Sequence, residues 1–165
     1  MNPTLQKFQK EVFQSLKLEI THYQVEKESA EYEACRFLLS GCSIISRKAK
    51  TTPTKTGQFV TIWRRNEKGT IEPLHESEHF DFLIVNVNSN NRWGQFVFPK
   101  SVLIQKGIIS TDQKEGKRAF RVYPKWDVVN SKQAERSQQW QLDYFYELEN
   151  GLDLERVREL YAVHL

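Results

Sequence analysis

Several features that would narrow the function are scarce or missing in this sequence. Its 165 residues include two cysteines, which are too few for a disulfide scaffold or a four-cysteine zinc site. There are seven glycines, and neither a Walker phosphate loop nor the G-x-S-x-G turn of a serine nucleophile is present. No run of about 18 apolar residues occurs, and the N-terminal segment lacks the apolar core of a signal peptide. We therefore expect a soluble, cytoplasmic protein with no membrane contact and no cofactor.

A further absence concerns acidic residues. Residues 36–65 contain seven Lys or Arg residues and no Asp or Glu. A second basic block, residues 92–125, contains eight basic and two acidic residues. Because the surrounding segments are acidic, the net charge of +3 hides two concentrated positive regions. Such regions are typical of surfaces that bind a polyanion. We expect the two blocks to meet in space and to bind nucleic acid.

The chain begins with a helical pattern. Leu5, Phe8, Val12 and Leu16 recur at helical spacing, which predicts a first helix packed on a sheet. Residues 19–34 are mostly charged or polar and are interpreted as a connection with a short helical turn. The first strand is therefore expected after this connection.

Apolar residues then recur with period two, which predicts a β-hairpin that turns at residues 40–41. One face of this hairpin would bury Cys35 and Cys42. Their spacing is too long for a disulfide bridge, so both are expected to be reduced thiols. Arg36 and Arg47 would lie on the other face, which is expected to be exposed.

The remaining chain alternates strand-like and helical segments. Strands are predicted at residues 58–65, 80–87, 95–99 and 118–123, and helices at 101–106, 131–149 and from 153 onward. This order predicts an α/β (α+β) fold in a single domain over residues 1–165. A central mixed β-sheet of about five to seven strands would be flanked by helices, as in restriction-endonuclease-like architectures.

The segment KAKTTPTKTG, residues 48–57, is predicted to be a loop because Pro53 and Gly57 interrupt regular structure. Lysines, Thr hydroxyls and unpaired backbone N–H groups together offer what a phosphate oxygen needs. An ordinary solvated hairpin loop is the alternative. The candidate phosphate contacts in this segment are Lys48, Lys50, Thr51, Thr52, Thr54 and Lys55.

Cations stand next to aromatic residues at residues 63–65 and 117–126. Cations neutralise phosphates, and aromatic rings can stack on bases. Each aromatic residue taken alone could equally belong to the core. No helix with a basic, base-reading face is visible, so we expect low sequence specificity for either DNA or RNA. The candidate contacts from these segments are Arg64, Arg65, Lys117, Arg118 and Arg121.

Two enzymatic functions are alternatives to this binding interpretation. His75 to His79 spells H-E-x-x-H, but Pro73 upstream and a strand downstream leave no room for the helix that this zinc motif needs, so no metal site is expected. A divergent metal-dependent nuclease could use Asp81 at the start of a core strand. The next strand, however, has Gln95 where an acid followed by a lysine is wanted. No catalysis is therefore expected. A module that binds a nucleotide or an acidic partner is a further alternative.

Resemblance to a known family extends from Glu31 to Phe145. The segments concerned are AKTTPTKTGQFVTIWRR, FDFLIVNV, WGQFVFPKSVLIQKGIIS and GKRAFRVYPKWDVVNSKQAERSQQWQLDYF. They resemble the MepB family, small bacterial proteins of which one member is encoded beside a multidrug efflux pump and its repressor. The resemblance implies a fold similar to restriction-endonuclease-like or nucleic-acid-binding domains, and it implies no catalytic residues.

Overall fold

The computed structural model describes residues 1–162. Four α-helices lie in this range, at Pro3–Phe8 (α1), Lys100–Gln105 (α2), Lys132–Gln141 (α3) and Leu154–Tyr161 (α4). A π-helical turn at Gln9–Phe13 continues α1, and 3₁₀ turns lie at Ala30–Tyr32 and Leu142–Tyr144. Ser131 and Asp153 cap α3 and α4, because each side chain accepts a backbone N–H three residues later. The predicted starts of these two helices are confirmed.

The same residues contain eleven strands: Ile20–Val25 (β1), Cys35–Leu39 (β2), Cys42–Lys48 (β3), Lys50–Thr51 (β4), Gln58–Thr61 (β5), Arg64–Arg65 (β6), Ile71–Glu72 (β7), Phe82–Ser89 (β8), Arg92–Pro99 (β9), Ala119–Val122 (β10) and Phe145–Glu147 (β11). They form a six-stranded sheet in the order β1-β2-β3-β8-β9-β11, a three-stranded sheet in the order β10-β5-β4, and the pair β6-β7. The large sheet is mixed, since β3 and β8 run parallel and its other neighbours run antiparallel.

The two faces of the six-stranded sheet are covered by different layers. α1, its π-helical extension and α4 pack on one face around residues such as Phe8, Ile44 and Tyr161. The three-stranded sheet, α2 and α3 pack on the other face around residues such as Ile45 and Phe98. A strand covered on both sides needs apolar residues at successive positions, which is why β8 begins with the run FLIV. The predicted central mixed sheet flanked by helices is confirmed.

The β2–β3 hairpin has the predicted register. Cys35 pairs with Ser46 and Leu39 pairs with Cys42, across a turn in which Ser40 has a φ of +47° and Gly41 one of +91°. Both cysteines are buried and free. Burial raises the pKa of each thiol, which keeps it protonated at neutral pH.

The prediction that Arg36 and Arg47 lie on an exposed face is wrong. Arg47 is 1% exposed, and its guanidinium donates to the Glu26 carboxylate at 2.8 Å and to the Thr61 carbonyl at 3.1 Å. The Arg36 side chain remains 30% exposed. The reason is that β5 covers this face of the hairpin, and Glu26 supplies the opposite charge that a buried guanidinium requires.

Two strands lie where other structures are predicted. β1 falls within the segment interpreted as a connection, and it pairs with β2 at the edge of the large sheet. β11 falls within the helix predicted to end near Glu149, because α3 ends at Gln141 and the chain then extends alongside β9. Among residues 1–162, none of the helices is both long enough and apolar enough to cross a membrane.

Candidate functional site

The three-stranded sheet joins two segments that are far apart in the sequence. β10 pairs antiparallel with β5, and β5 pairs antiparallel with β4. The loop of residues 52–57 connects β4 to β5 and therefore lies beside the end of β10. Gly57 in this loop has a φ of +85°, and a Cβ atom there would lie 2.6 Å from the Tyr123 ring. This position therefore requires glycine, and the loop packs closely on the chain that follows β10.

A cavity of about 580 Å³ opens beside this loop. We call it the α3 cavity, because residues of α3 form part of its wall together with the loop, β10 and the chain that follows α2. Its lining combines cationic, hydroxyl, amide and aromatic groups. The lining residues are Thr54, Lys55, Thr56, Lys106, Ile108, Lys117, Phe120, Arg121, Tyr123, Asn130, Ser131, Gln133, Ala134, Ser137, Trp140 and Gln141.

The lining of the α3 cavity is positively charged. Lys55, Lys106 and Lys117 come from three separate segments, and no carboxylate lines the cavity among the described residues. None of these lysines takes part in a salt bridge within residues 1–162. The Nζ atom of Lys106 lies 5.4 Å from the centroid of the Trp140 ring. The arrangement could therefore hold an anionic group beside an aromatic face.

Hydrogen bonds fix the walls of this cavity. The buried Gln141 on α3 accepts the Tyr123 N–H at 2.8 Å and donates to the Arg121 carbonyl at 2.9 Å, which attaches the helix to β10. The Arg121 guanidinium donates to Thr52 Oγ1 at 2.7 Å and to the Thr56 carbonyl at 3.2 Å, which attaches the loop to β10. Helix and loop are therefore both anchored to β10.

The expected meeting of the two basic blocks is observed in this cavity. Thr54 and Lys55 from the first block line it together with Lys117 and Arg121 from the second block. Thr52 lies at its side and contacts Arg121. These five candidate residues, predicted from separate stretches of sequence, therefore lie close together.

The arginines of β6 lie apart from the cavity and are paired with acids. Arg64 contacts Glu72 at 2.8 Å and Glu78 at 3.0 Å. Arg65 contacts Glu28 at 2.9 Å. This hydrogen bond raises the pKa of Arg65 and lowers the pKa of Glu28. A phosphate would have to compete with these carboxylates for either guanidinium.

The candidate residues before the loop also lie outside the cavity lining. Lys48 ends β3, and its Nζ atom lies 5.3 Å from the centroid of the Trp93 ring. Lys50 and Thr51 form the exposed edge strand β4. The Nζ atom of Lys50 lies 3.5 Å from a carboxylate oxygen of Glu31. Both lysines are accessible, but they belong to a neighbouring part of the surface.

Lys106 and several polar residues of the cavity have no signal in the sequence, and Arg118 is a further predicted residue that is not part of the lining. Lys106 follows α2 directly, and nothing in the surrounding sequence distinguishes it from other lysines at helix ends. Arg118 is exposed and lies 3.3 Å from Glu115, outside the lining. The polar residues of the helix wall also lack a distinctive motif; they are Asn130, Ser131, Gln133 and Ser137. The excess of polar residues on α3 is the one signal that could have indicated a wall facing solvent.

The structure separates the two residues of the nuclease alternative. Asp81 accepts the Ser43 N–H at 2.8 Å at the start of β8. Gln95 pairs with Asn86 in the β8–β9 hairpin, five residues further along β8, or about 16 Å away at the usual rise per residue. Gln95 is fully buried, and its Oε1 accepts the hydroxyls of two buried tyrosines. Gln95 is a neutral amide and lies far from Asp81, so it does not take the place of the second acidic ligand that a nuclease site needs.

The H-E-x-x-H segment is not helical. His75 forms a bridge with Ser110, and residues 76–79 form a turn and irregular structure. The Nδ1 atom of His75 accepts the Ser77 N–H at 3.0 Å, and its Nε2 atom lies 3.0 Å from Asp112 Oδ1. Both ring nitrogens are therefore engaged in local contacts. Within residues 1–162, the grouping of possible metal ligands at this point is His75, Glu76 and Asp112, without His79.

The fold and the cavity define a small mixed α+β domain with lysines at the junction of a loop, a strand and a helix, and these lysines have no acidic partner within residues 1–162. A model of the MepB-like family matches residues 26–147. The chain therefore belongs to the MepB-like family, and the resemblance seen in the sequence is confirmed.

Solved structures give two further matches. The crystal structure of MepB is similar with a TM-score of 0.81 and 35% sequence identity, over 92% of this chain and 100% of that chain. A bacterial homing endonuclease, I-Ssp6803I, matches with a TM-score of 0.47 and 12% identity, over 84% of this chain and 86% of that chain. The restriction-endonuclease-like architecture stays a prediction. A comparison with curated proteins finds no match.

Proposed function

We propose that this chain binds nucleic acid, either DNA or RNA, by contacting the phosphate backbone in the α3 cavity, with low sequence specificity and without catalysis. The observation that supports this proposal is the set of three lysines, Lys55, Lys106 and Lys117, around a cavity whose described lining contains no carboxylate. A basic groove of this kind attracts a polyanion from a distance and releases its bound counterions on contact.

The groups around the lysines suit a nucleotide chain. Hydroxyl groups of Thr54 and Ser131 can donate to phosphate oxygens, and amide groups of Asn130 and Gln133 can bond sugar or base atoms. The partly buried Trp140 offers an aromatic face next to the Lys106 ammonium. Contacts of these types depend little on which base is present, so we expect weak sequence preference.

The test compares two double variants of equal charge change. Lys55→Glu with Lys117→Glu reverses two charges of the α3 cavity, whereas Lys10→Glu with Lys68→Glu reverses two exposed lysines outside it. Binding to labelled single-stranded and double-stranded oligonucleotides is measured by fluorescence anisotropy at several salt concentrations. We expect the first pair to lose at least about 100-fold in affinity and the second pair to lose far less.

Two outcomes would contradict the proposal. One is an affinity that does not depend on salt, since phosphate contacts release counterions. The other is an equal loss in both double variants, which would mean that net charge matters and the α3 cavity does not.

A second candidate function is binding of a free nucleotide. The volume of about 580 Å³ lies within the range of small-molecule sites, about 300–1,000 Å³, and supports this alternative. Thermal unfolding in the presence of ligand separates the two candidates. A mononucleotide that raises the Tm as much as an oligonucleotide does, at equal nucleotide concentration, would favour the small-ligand alternative.

A further inference from the structure

Arg121 differs from the three lysines of the α3 cavity because its donors are directed at the protein itself. Its Nη2 atom donates to Thr52 Oγ1 at 2.7 Å. Its Nη1 atom donates to the carbonyl oxygens of Thr56 at 3.2 Å and Gly57 at 3.4 Å. The guanidinium carbon lies 5.8 Å from the centroid of the Phe59 ring. One side chain therefore contacts both ends of the loop of residues 52–57.

The strand order explains this reach. Arg121 on β10 pairs directly with Phe59 on β5, and β4 lies on the far side of β5. The loop closes the β4–β5 hairpin, whose last pair is Thr51 with Gln58. The side chain of Arg121 therefore extends over the Phe59 ring to reach the loop.

From this geometry we infer that Arg121 is a positioning residue: it holds the loop of residues 52–57 in place so that Lys55 and Thr54 face the α3 cavity, and it contacts no phosphate itself. This inference rests on the proposed function of the same cavity. The phosphate contacts in the α3 cavity then come from Lys55, Lys106 and Lys117.

The chemistry of arginine accounts for this role. A planar guanidinium offers several donors in a fixed fork, so it can bond a hydroxyl and two carbonyl groups at once. A lysine ammonium is a compact point charge and cannot bridge the same three acceptors with the same geometry. The middle of the loop, Pro53, Thr54 and Lys55, is exposed, so little packing restrains this part of it. Holding it in its bound form beforehand lowers the entropy lost when a ligand binds.

The test measures the salt dependence of oligonucleotide binding for Arg121→Gln, Arg121→Lys and Lys117→Gln. For a lysine that contacts phosphate, Lys117→Gln should reduce the slope of log K against log salt by about 0.7 to 0.9. For a positioning residue, Arg121→Gln should reduce affinity by about tenfold, because the loop must then be ordered on binding, and should leave the slope unchanged, because Lys55 still contacts phosphate in the complex. Arg121→Lys should fail to restore the affinity, although it keeps the charge.

Thr52→Val provides a second measurement, because valine has the shape of threonine without the hydroxyl that accepts from Arg121. We expect it to weaken binding in the same direction as Arg121→Gln, but by less. The double variant Thr52→Val with Arg121→Gln should be no weaker than Arg121→Gln alone, since both changes remove one shared contact. Additive losses would overturn the inference.

Hydrogen exchange shows whether the loop is held, independently of any ligand. We expect faster exchange at residues 52–57 in Arg121→Gln than in the unaltered chain, with the Tm little changed. An unchanged exchange rate would overturn the inference, and so would a smaller salt slope in Arg121→Gln together with rescue by Arg121→Lys. Either result would leave the proposed function intact if Lys117→Gln reduces the slope. No binding by the unaltered chain would instead overturn the proposed function.

Discussion

The two basic blocks of the sequence contribute to regions of opposite character. In one region, arginines alternate with glutamates in a chain of contacts that runs Arg47, Glu26, Arg36, Glu78, Arg64 and Glu72, with distances of 2.7 to 3.5 Å. We call this set the ion-pair chain. In the other region, the α3 cavity, the lysines have no acidic partner among the described residues. Both regions draw on basic stretches of the sequence. They differ in how much of that positive charge is available to a ligand.

The difference has its origin in the acidic segments that flank the first block. Glu26 precedes this block, whereas Glu72 and Glu78 follow it, and the fold returns all three to its arginines. A stretch without acids in the sequence is therefore not a surface without acids. Within the described part of the chain, the lysines of the α3 cavity have no acidic partner, because the elements that build its walls present polar and aromatic residues on that side.

The type of cation also differs between the two regions. Guanidinium groups suit the ion-pair chain because each can bond two carboxylates, as Arg36 does with Glu26 and Glu78. Lysine ammonium groups are strongly hydrated point charges on flexible side chains. Arg121 is the exception in the cavity, and its guanidinium contacts the loop. Arginine thus fixes structure in both regions, while lysine remains available.

The largest expected effect comes from breaking the ion-pair chain at its buried end. Glu26→Ala removes the carboxylate that contacts the Arg47 guanidinium, which is 1% exposed. We expect a loss of about 3 kcal/mol in the free energy of unfolding, at the low end for a broken buried pair because the Glu26 side chain is 23% exposed. Urea denaturation measures it. Glu67→Ala, an exposed glutamate, should cost less than about 0.5 kcal/mol, and equal costs would contradict the comparison.

The next effect damages the α3 cavity without changing any charge. Gly57→Ala places a Cβ atom 2.6 Å from the Tyr123 ring at a φ of +85°. Gly41→Ala is a matched control, because Gly41 has a φ of +91° and no atom within 4 Å of the added Cβ. We expect a loss of about 1 kcal/mol for Gly41→Ala and at least about 2 kcal/mol for Gly57→Ala, in urea denaturation. Only Gly57→Ala should also weaken oligonucleotide binding.

A smaller effect compares an unpaired lysine of the α3 cavity with a paired arginine of β6, outside the ion-pair chain, at equal charge change. Lys106→Gln removes an unpaired charge of the α3 cavity, whereas Arg65→Gln removes a charge already paired with Glu28. We expect Lys106→Gln to weaken oligonucleotide binding by about threefold to tenfold and to reduce the salt slope by about 0.7 to 0.9. Arg65→Gln should change neither quantity appreciably. Similar salt slopes for the two variants would remove the distinction between paired and unpaired cations.

Much of the fold could be predicted from local pattern. The register of the β2–β3 hairpin follows from two local signals. Apolar residues alternate strongly along both strands, and the Ser40-Gly41 turn fixes which residues face each other. The helix starts at Ser131 and Asp153 follow from capping side chains. β1 could not be predicted because its register shifts between Thr21 and Gln24, which breaks the alternation.

The candidate site could be predicted only in part. Thr54 and Lys55 could be predicted because their loop is basic and lacks acids, and Lys117 because it lies in a basic segment with aromatic residues. Lys106 could not be predicted, because its position in the cavity lining depends on where α3 packs. No local sequence pattern predicts that packing. The pairing of Arg64 and the burial of Arg47 were missed for a related reason, since their acidic partners are supplied by separate segments. Composition predicts which charges exist, and tertiary structure decides which remain unpaired.

The smallest effect concerns pH and compares two carboxyls: Glu28, which is paired with Arg65 of β6, and Asp127, which follows β10. The hydrogen bond from Arg65 holds the pKa of Glu28 below its usual value. Burial raises the pKa of Asp127, whose carboxylate accepts the Gly57 N–H beside the α3 cavity. A lowered pKa in the folded state contributes stability above the unfolded pKa, about 4.3 for Glu, and this stability is lost as the pH falls through the folded pKa. A raised pKa has the opposite effect on the stability of the fold. The stability that it contributes is present below the unfolded pKa, about 3.9 for Asp, and is lost as the pH rises through the folded pKa.

The two carboxyls therefore predict opposite pH trends for matched variants. The advantage of the unaltered chain over Glu28→Gln should be present at pH 6 and shrink towards pH 3. Relative to Asp127→Asn, the unaltered chain should lose stability between pH 3 and pH 6. Urea midpoints across this range measure both differences. Parallel trends would mean that the carboxyl beside the α3 cavity is stabilised by cations as Glu28 is, and the cations near it would then not be available to a phosphate.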